Sequence, residues 1–200
     1  LKIGSKYDVF LAVLKARFAD GAGLGMKRAT LKLIDSIEII NPDIIHLHNI
    51  HGYVINFPLF FEYIKTKNIP IVWTHHDFWA ITGHCSHFFS INCKKWLNGC
   101  DKCELIKEYP KSFIDKSNRN YKLKDYYFNL PDNIFHVAVS DWVGNFLKES
   151  FIKNKDIVTI PNGVDINTFR PISNRSLESI PDDKFVIMGV ASQWRSGKGF

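Results

Sequence analysis

Apolar positions along the chain switch between two spacings, and the switches mark out elements. Leu33, Ile34, Ile37 and Ile40 recur at helical intervals and Pro42 closes the run, which predicts a helix over 23–41. "DIIHLH" (43–48) is short, β-branched and apolar on both sides, the pattern of a buried parallel strand. Helical spacing returns from Pro58 to Lys67, with Phe60, Phe61 and Ile64 available for burial, and "IVWTHH" (71–76) follows as another strand. Strand, helix and strand in so short a stretch make a βαβ unit.

The rhythm breaks over 82–104 and resumes with a polar helix over 113–130 and a strand at 134–140. Ser140 stands where an N-cap belongs, ahead of "DWVGNFLKES", and "DIVTIP" (156–161) is the next strand. Turn formers then dominate 162–183, a connector, before "KFVIMGVAS" (184–192) opens another strand. This order predicts an α/β fold, a Rossmann-like parallel sheet with helices on both faces. The expected divisions are a domain over 1–161 with an insertion at 82–104, a connector over 162–183, and the start of a second domain at 184–200.

Composition narrows the class. At 46% hydrophobic and 23% charged, the chain has enough apolar surface for a packed core and is neither disordered nor fibrous. It has no apolar run long enough to cross a bilayer and no visible signal peptide, so a cytoplasmic location is expected. The first residue is Leu, so the chain reads as a fragment whose missing start could hold a targeting segment. Net charge is +6, and nine Lys/Arg against four Asp/Glu between Lys94 and Lys124 place +5 in one segment. That segment is either a solvated face or a patch for anionic lipid headgroups or a phosphorylated substrate. Basic and aromatic residues interleave too little there for nucleic acid to be an expected partner.

In open parallel sheets, ligands bind beyond the carboxyl ends of the strands. Polar residues gather at those ends: His46, His48, Asn49 and His51 after the first strand, His75, His76 and Asp77 after the second, Ser140 and Asp141 after the third, Asn162 and Asp165 after the fourth. A histidine at one strand end is usually structural; four polar strand ends on one edge point to a site.

"PDIIHLHNIHG", "WTHHDFWAITGHC", "VSDW", "IPNGVDINTFRP" and "GVASQWRSGKGF", in this order, resemble glycosyltransferase family 4, the subgroup with a Cys-rich loop from bacterial capsule, exopolysaccharide or lipopolysaccharide assembly. The resemblance spans 23–200. It implies a retaining enzyme of the two-domain GT-B fold that moves a sugar from a nucleotide-sugar donor to a glycan or lipid-linked acceptor. It further implies that His76 reaches toward the donor sugar, with Asp77 orienting it or binding a hydroxyl. His48, Asn49, His51, Ser140 and Asn162 would line the substrate crevice. Lys198 matches the lysine that pairs with the donor diphosphate. Ser192 and Gln193 stand where the family usually has an arginine, so Arg195 is taken as its substitute. No catalytic metal is expected. The family's acidic E-x7-E element lies beyond Phe200, so the chain alone is expected to be inactive. The alternatives are another Rossmann enzyme, such as an epimerase, which would need a better-placed glycine motif than "DGAGLG", or a zinc-knuckle binding module with basic flanks.

All four cysteines fall within twenty-two residues, spaced C-x7-C-x6-C-x2-C from Cys85 through Cys93 and Cys100 to Cys103. In a reducing compartment such clusters bind metal more often than they form disulfides, and the CxxC pair has chelating geometry. A structural zinc on the four thiolates is one expectation, with two disulfides or free thiols as the others; His84 and His87 could substitute as ligands.

Overall fold

The structure is a computed structural model that describes residues 3–171, 185–187, 189, 190 and 194. It divides into two units, 1–161 and 162–200. The strand expected at 184–192, and Arg195 and Lys198, fall wholly or partly outside the described residues.

In the first unit, α1 (Lys6–Ala19) and α2 (Lys27–Ile40) precede β1 (Ile45–Leu47), α3 (Phe57–Lys67) and β2 (Ile71–His75). After the cysteine segment come α4 (Ser117–Asn129), β3 (Ile134–Ala138), α5 (Asp141–Glu149) and β4 (Asp156–Thr159). The four strands pair in chain order, all parallel. Right-handed crossovers between successive neighbours place α3, α4 and α5 on one face. Burial agrees in the main: Ile71, Trp73, His75, Ile134, His136 and Ala138 are buried on the covered face, while on the other Val72 is half-buried and Phe135 and Val158 are exposed, although Thr74 and Val137 there are buried.

The helices and strands expected between 23 and 161 are present, most of them a few residues shorter than the pattern suggested, while α3 begins one residue earlier, at Phe57. α1 is the addition. Its capping box is Ser5 with Asp8, the Ser5 hydroxyl accepting the Asp8 N–H at its first turn. Its apolar residues Tyr7, Phe10, Leu11, Leu14 and Phe18 form an exposed stripe rather than a core face. α3 is capped by Asn56, which accepts from Leu59 N–H, and Pro58 sits in its first turn.

Two apolar clusters support the sheet. One joins Ile37, Phe57, Phe60, Phe61 and Ile64 to Ile71, Trp73, Phe128 and Ile134. The other joins Phe78, Ile81, Cys85, Phe88, Trp96 and Cys100 to Tyr121, Ala138, Val143 and Leu147. The cysteine segment is therefore part of a core, not an appendage. Between β2 and α4 the chain carries only three short 3-10 turns, Trp79–Ile81 just before this segment and Phe89–Ile91 and Lys95–Leu97 within it. In the second unit, Asp165 organises a turn, its carboxylate accepting the backbone N–H groups of Asn167 and Thr168 and the Thr168 hydroxyl.

Candidate functional site at the carboxyl edge of the sheet

β1 and β2 are parallel and in register, Ile45 opposite Ile71 and Leu47 opposite Trp73. Their carboxyl ends therefore lie side by side, and the residues just past them must meet. His48 Nδ1 stands 3.0 Å from His76 Nε2, one nitrogen donating and the other accepting, and the rings stack at 5.3 Å. The Trp73 indole N–H donates to the His48 carbonyl at 3.0 Å, pinning the turn from below. His48, Asn49 and His76 are exposed.

The second layer of the cleft is half-buried. His51 Nε2 lies 2.7 Å from Asp77 Oδ2, close enough for an ion pair, although the oxygen sits off the N–H direction and the nitrogen makes no well-aligned hydrogen bond. Asp77 Oδ1 accepts the Trp79 N–H at 2.9 Å, fixing the turn after β2. Burial pushes the Asp77 pKa up, but His51 and the Trp79 N–H outweigh it, so the carboxyl titrates below its ordinary range. His51 Nδ1 meets Tyr109 Oη at 3.2 Å. Gly52 permits this: its φ is +76°, and a Cβ there would stand 2.6 Å from the Tyr109 hydroxyl. The lining includes His48, Asn49, His51, His76 and Asp77 around a void of about 10 Å³, room for about one water molecule.

His75 is different. It is buried beside His136, Nε2 to Nδ1 at 2.8 Å, under the Trp73 ring. Burial drives both imidazoles toward the neutral form, His136 to a pKa of about 3 and His75 well below its ordinary value. This pair is a core feature, and the catalytic expectation stays with His76.

The other expected residues divide. Ser140 follows β3 on the same edge, but its hydroxyl accepts the Val143 N–H at 3.3 Å and so caps α5. Asn162 belongs to the second unit and is exposed there. All four cysteines are free thiols and line one void of about 20 Å³. Among the described residues, no three His, Cys, Asp or Glu side chains stand in a ready-made metal-binding arrangement.

Three participants had no sequence signal. Tyr109 comes from the basic segment, fifty-eight residues from His51. The Lys124 ammonium is buried and donates to the carbonyls of Trp79 at 2.6 Å and Thr82 at 2.9 Å, lying 3.5 Å from the centre of the Trp79 ring. Asp20 pairs with His84 at 2.6 Å in the interior. Each joins positions far apart in the chain, which spacing rules do not see.

Residues 7–168 match the family described as Glycosyltransferase Family 4. A protein of Escherichia coli (strain K12), named as a colanic acid biosynthesis glycosyl transferase, WcaC, is 35% identical over 83 residues, covering 39% of this chain and 20% of the relative. The chain thus spans about a fifth of the length of that relative. No solved structure matches the chain. A matched segment covering most of the chain, together with the parallel sheet it folds into, makes this chain a member of glycosyltransferase family 4.

Proposed function

We propose that the protein transfers a sugar, with retention, from a nucleotide-sugar donor to a glycan or lipid-linked acceptor in cell-surface polysaccharide biosynthesis. The observation that carries this is the exposed His48–His76 pair at the carboxyl edge of the sheet, backed by His51 and Asp77, in a chain of this family. The printed name of the E. coli relative supports the polysaccharide setting.

With Nε2 engaged by His48, His76 would present Nδ1 to a sugar hydroxyl. An imidazole there can also share the charge of an oxocarbenium-like transition state. Asp77, held ionised, keeps His51 and the turn after β2 in place. Asn49 adds an amide that can both donate and accept. The exposed α1 stripe and the basic segment between Lys94 and Lys124 support a lipid-linked acceptor at an anionic membrane. Donor diphosphate binding by Arg195 and Lys198 belongs to the same reading.

The test is a thermal-shift screen of the full-length protein against nucleotide sugars, followed by a transfer assay with the stabilising donor. One nucleotide sugar should raise the Tm by several degrees at saturating concentration. Absence of stabilisation by every nucleotide sugar, with no transfer, overturns the reading.

A further inference from the structure

The cysteine segment has a chemistry the sugar-transfer reading does not use. Cys85, Cys93, Cys100 and Cys103 are spread along an irregular loop, outside its short 3-10 turns, yet their side chains share one small void with His84, walled by Phe88 and Trp96. Cys85 and Cys103 stand close enough to act on each other, and Cys100 Sγ accepts the Gly83 N–H at 3.2 Å. Backbone N–H groups aimed at sulfur are the support a thiolate ligand needs.

His84 supplies an independent observation. Its Nδ1 faces the Asp20 carboxylate at 2.6 Å, both side chains are buried, and Nε2 has no hydrogen-bond partner. A buried orphan nitrogen is costly and calls for an explanation. A carboxylate holding one ring nitrogen is the support that histidines at protein-bound zinc have, and His84 lines the same void as the thiols.

We propose that Cys85, Cys93, Cys100 and Cys103 bind one structural zinc ion tetrahedrally, with His84, whose Nδ1–H goes to Asp20, packed beside the ligating sulfurs. Zn²⁺ enters as four S–H bonds break: four protons leave to solvent and four zinc–sulfur bonds of about 2.3 Å form, with no change of oxidation state. The free thiols are not yet so disposed; binding turns them inward about the void they already line. The tetrathiolate carries two net negative charges, and Lys124 lies close enough to act on both Cys85 and Cys100. The ion would tie the loop together directly after the Asp77–Trp79 turn, giving that wall of the cleft a fixed shape.

This proposal does not depend on transferase activity, and its readout is metal. The full-length protein, purified reduced and without chelators, should carry about one zinc per chain; less than about half an equivalent overturns the site. Cobalt exchanged into it should show the intense visible bands of a tetrahedral ion and near-ultraviolet thiolate charge transfer, whereas weak octahedral bands overturn it. Two disulfides in the intact, non-reduced protein would also overturn it. The double variant C100S/C103S should lose the metal; unchanged zinc content overturns the four-thiol assignment. Should that variant fail to fold, the cobalt spectrum of the native sequence decides. His84→Ala should keep one zinc but bind it roughly 10–100-fold more weakly in chelator competition, and full affinity would remove His84 from its supporting role.

Discussion

Residues 75 and 76 are both histidine and have opposite surroundings, one buried and one exposed, which the geometry of one strand explains. Side chains alternate across a strand, so the last residue of β2 faces the covered side, where His75 meets His136. The next residue is past the sheet's end and reaches His48 in solvent. This predicts a clean separation of effects in the full-length enzyme. His76→Ala should lower turnover by about a hundredfold or more, as loss of a group that contacts the transition state does. Because His76 is exposed, the Tm should hardly move. Near-normal kcat in a steady-state transfer assay would exclude His76 from the chemistry. The sequence placed His76 at this edge because a strand end is recognisable. It could not show that His48 is its partner, since that depends on the register between β1 and β2.

At the scale of elements, the strands and helices α2 to α5 were legible because burial imposes periodicity on them: Phe60, Phe61 and Ile64 are buried where helical spacing put them. α1 was not, because its apolar stripe does not face a core and its start is marked only by a capping box. The β2–β3 pairing leads to a prediction about acid. His75 and His136 have folded pKa values below the unfolded value of about 6.5. As pH falls below that, the unfolded chain takes up protons that the folded pair refuses, so folding stability declines. Each such proton is worth about 1.4 kcal/mol per pH unit. The Tm should therefore be flat near neutrality with respect to this pair and fall increasingly steeply between about pH 6.5 and 5. His136→Asn should be less stable at pH 7.5 yet show a shallower decline. Thermal unfolding followed by circular dichroism across this range is the check, and equal slopes for the two proteins would mean the pair does not govern acid sensitivity.

On the scale of the whole first unit, the question is how an irregular cysteine loop becomes part of a folded domain. Its apolar side chains fill the second core cluster, but its backbone makes no sheet and only brief turns, so its polar groups need partners from elsewhere. Lys124 on α4 provides them. Its two carbonyl acceptors, Trp79 and Thr82, open the loop, and α4 itself contributes Tyr121 to one cluster and Phe128 to the other. One buried ammonium thus fastens the loop to the helix that both cores share. Burial lowers its pKa to about 7, which shows what the enclosure costs the charge; the two carbonyls and the Trp79 ring are what offset that cost. In the sequence, Lys124 is one member of a basic run, and because charge runs are usually solvated nothing local marks it as interior. Lys124→Met keeps the length and apolar stem but leaves both carbonyls without their donor. An unsatisfied buried acceptor costs about 1–3 kcal/mol, so the variant should lose roughly 2–4 kcal/mol in chemical denaturation at pH 7. The loss should come with faster proteolysis within 82–104, since the loop's first turn is what is released. If stability and proteolysis are both unchanged, water reaches those carbonyls and the loop is held by its apolar contacts alone.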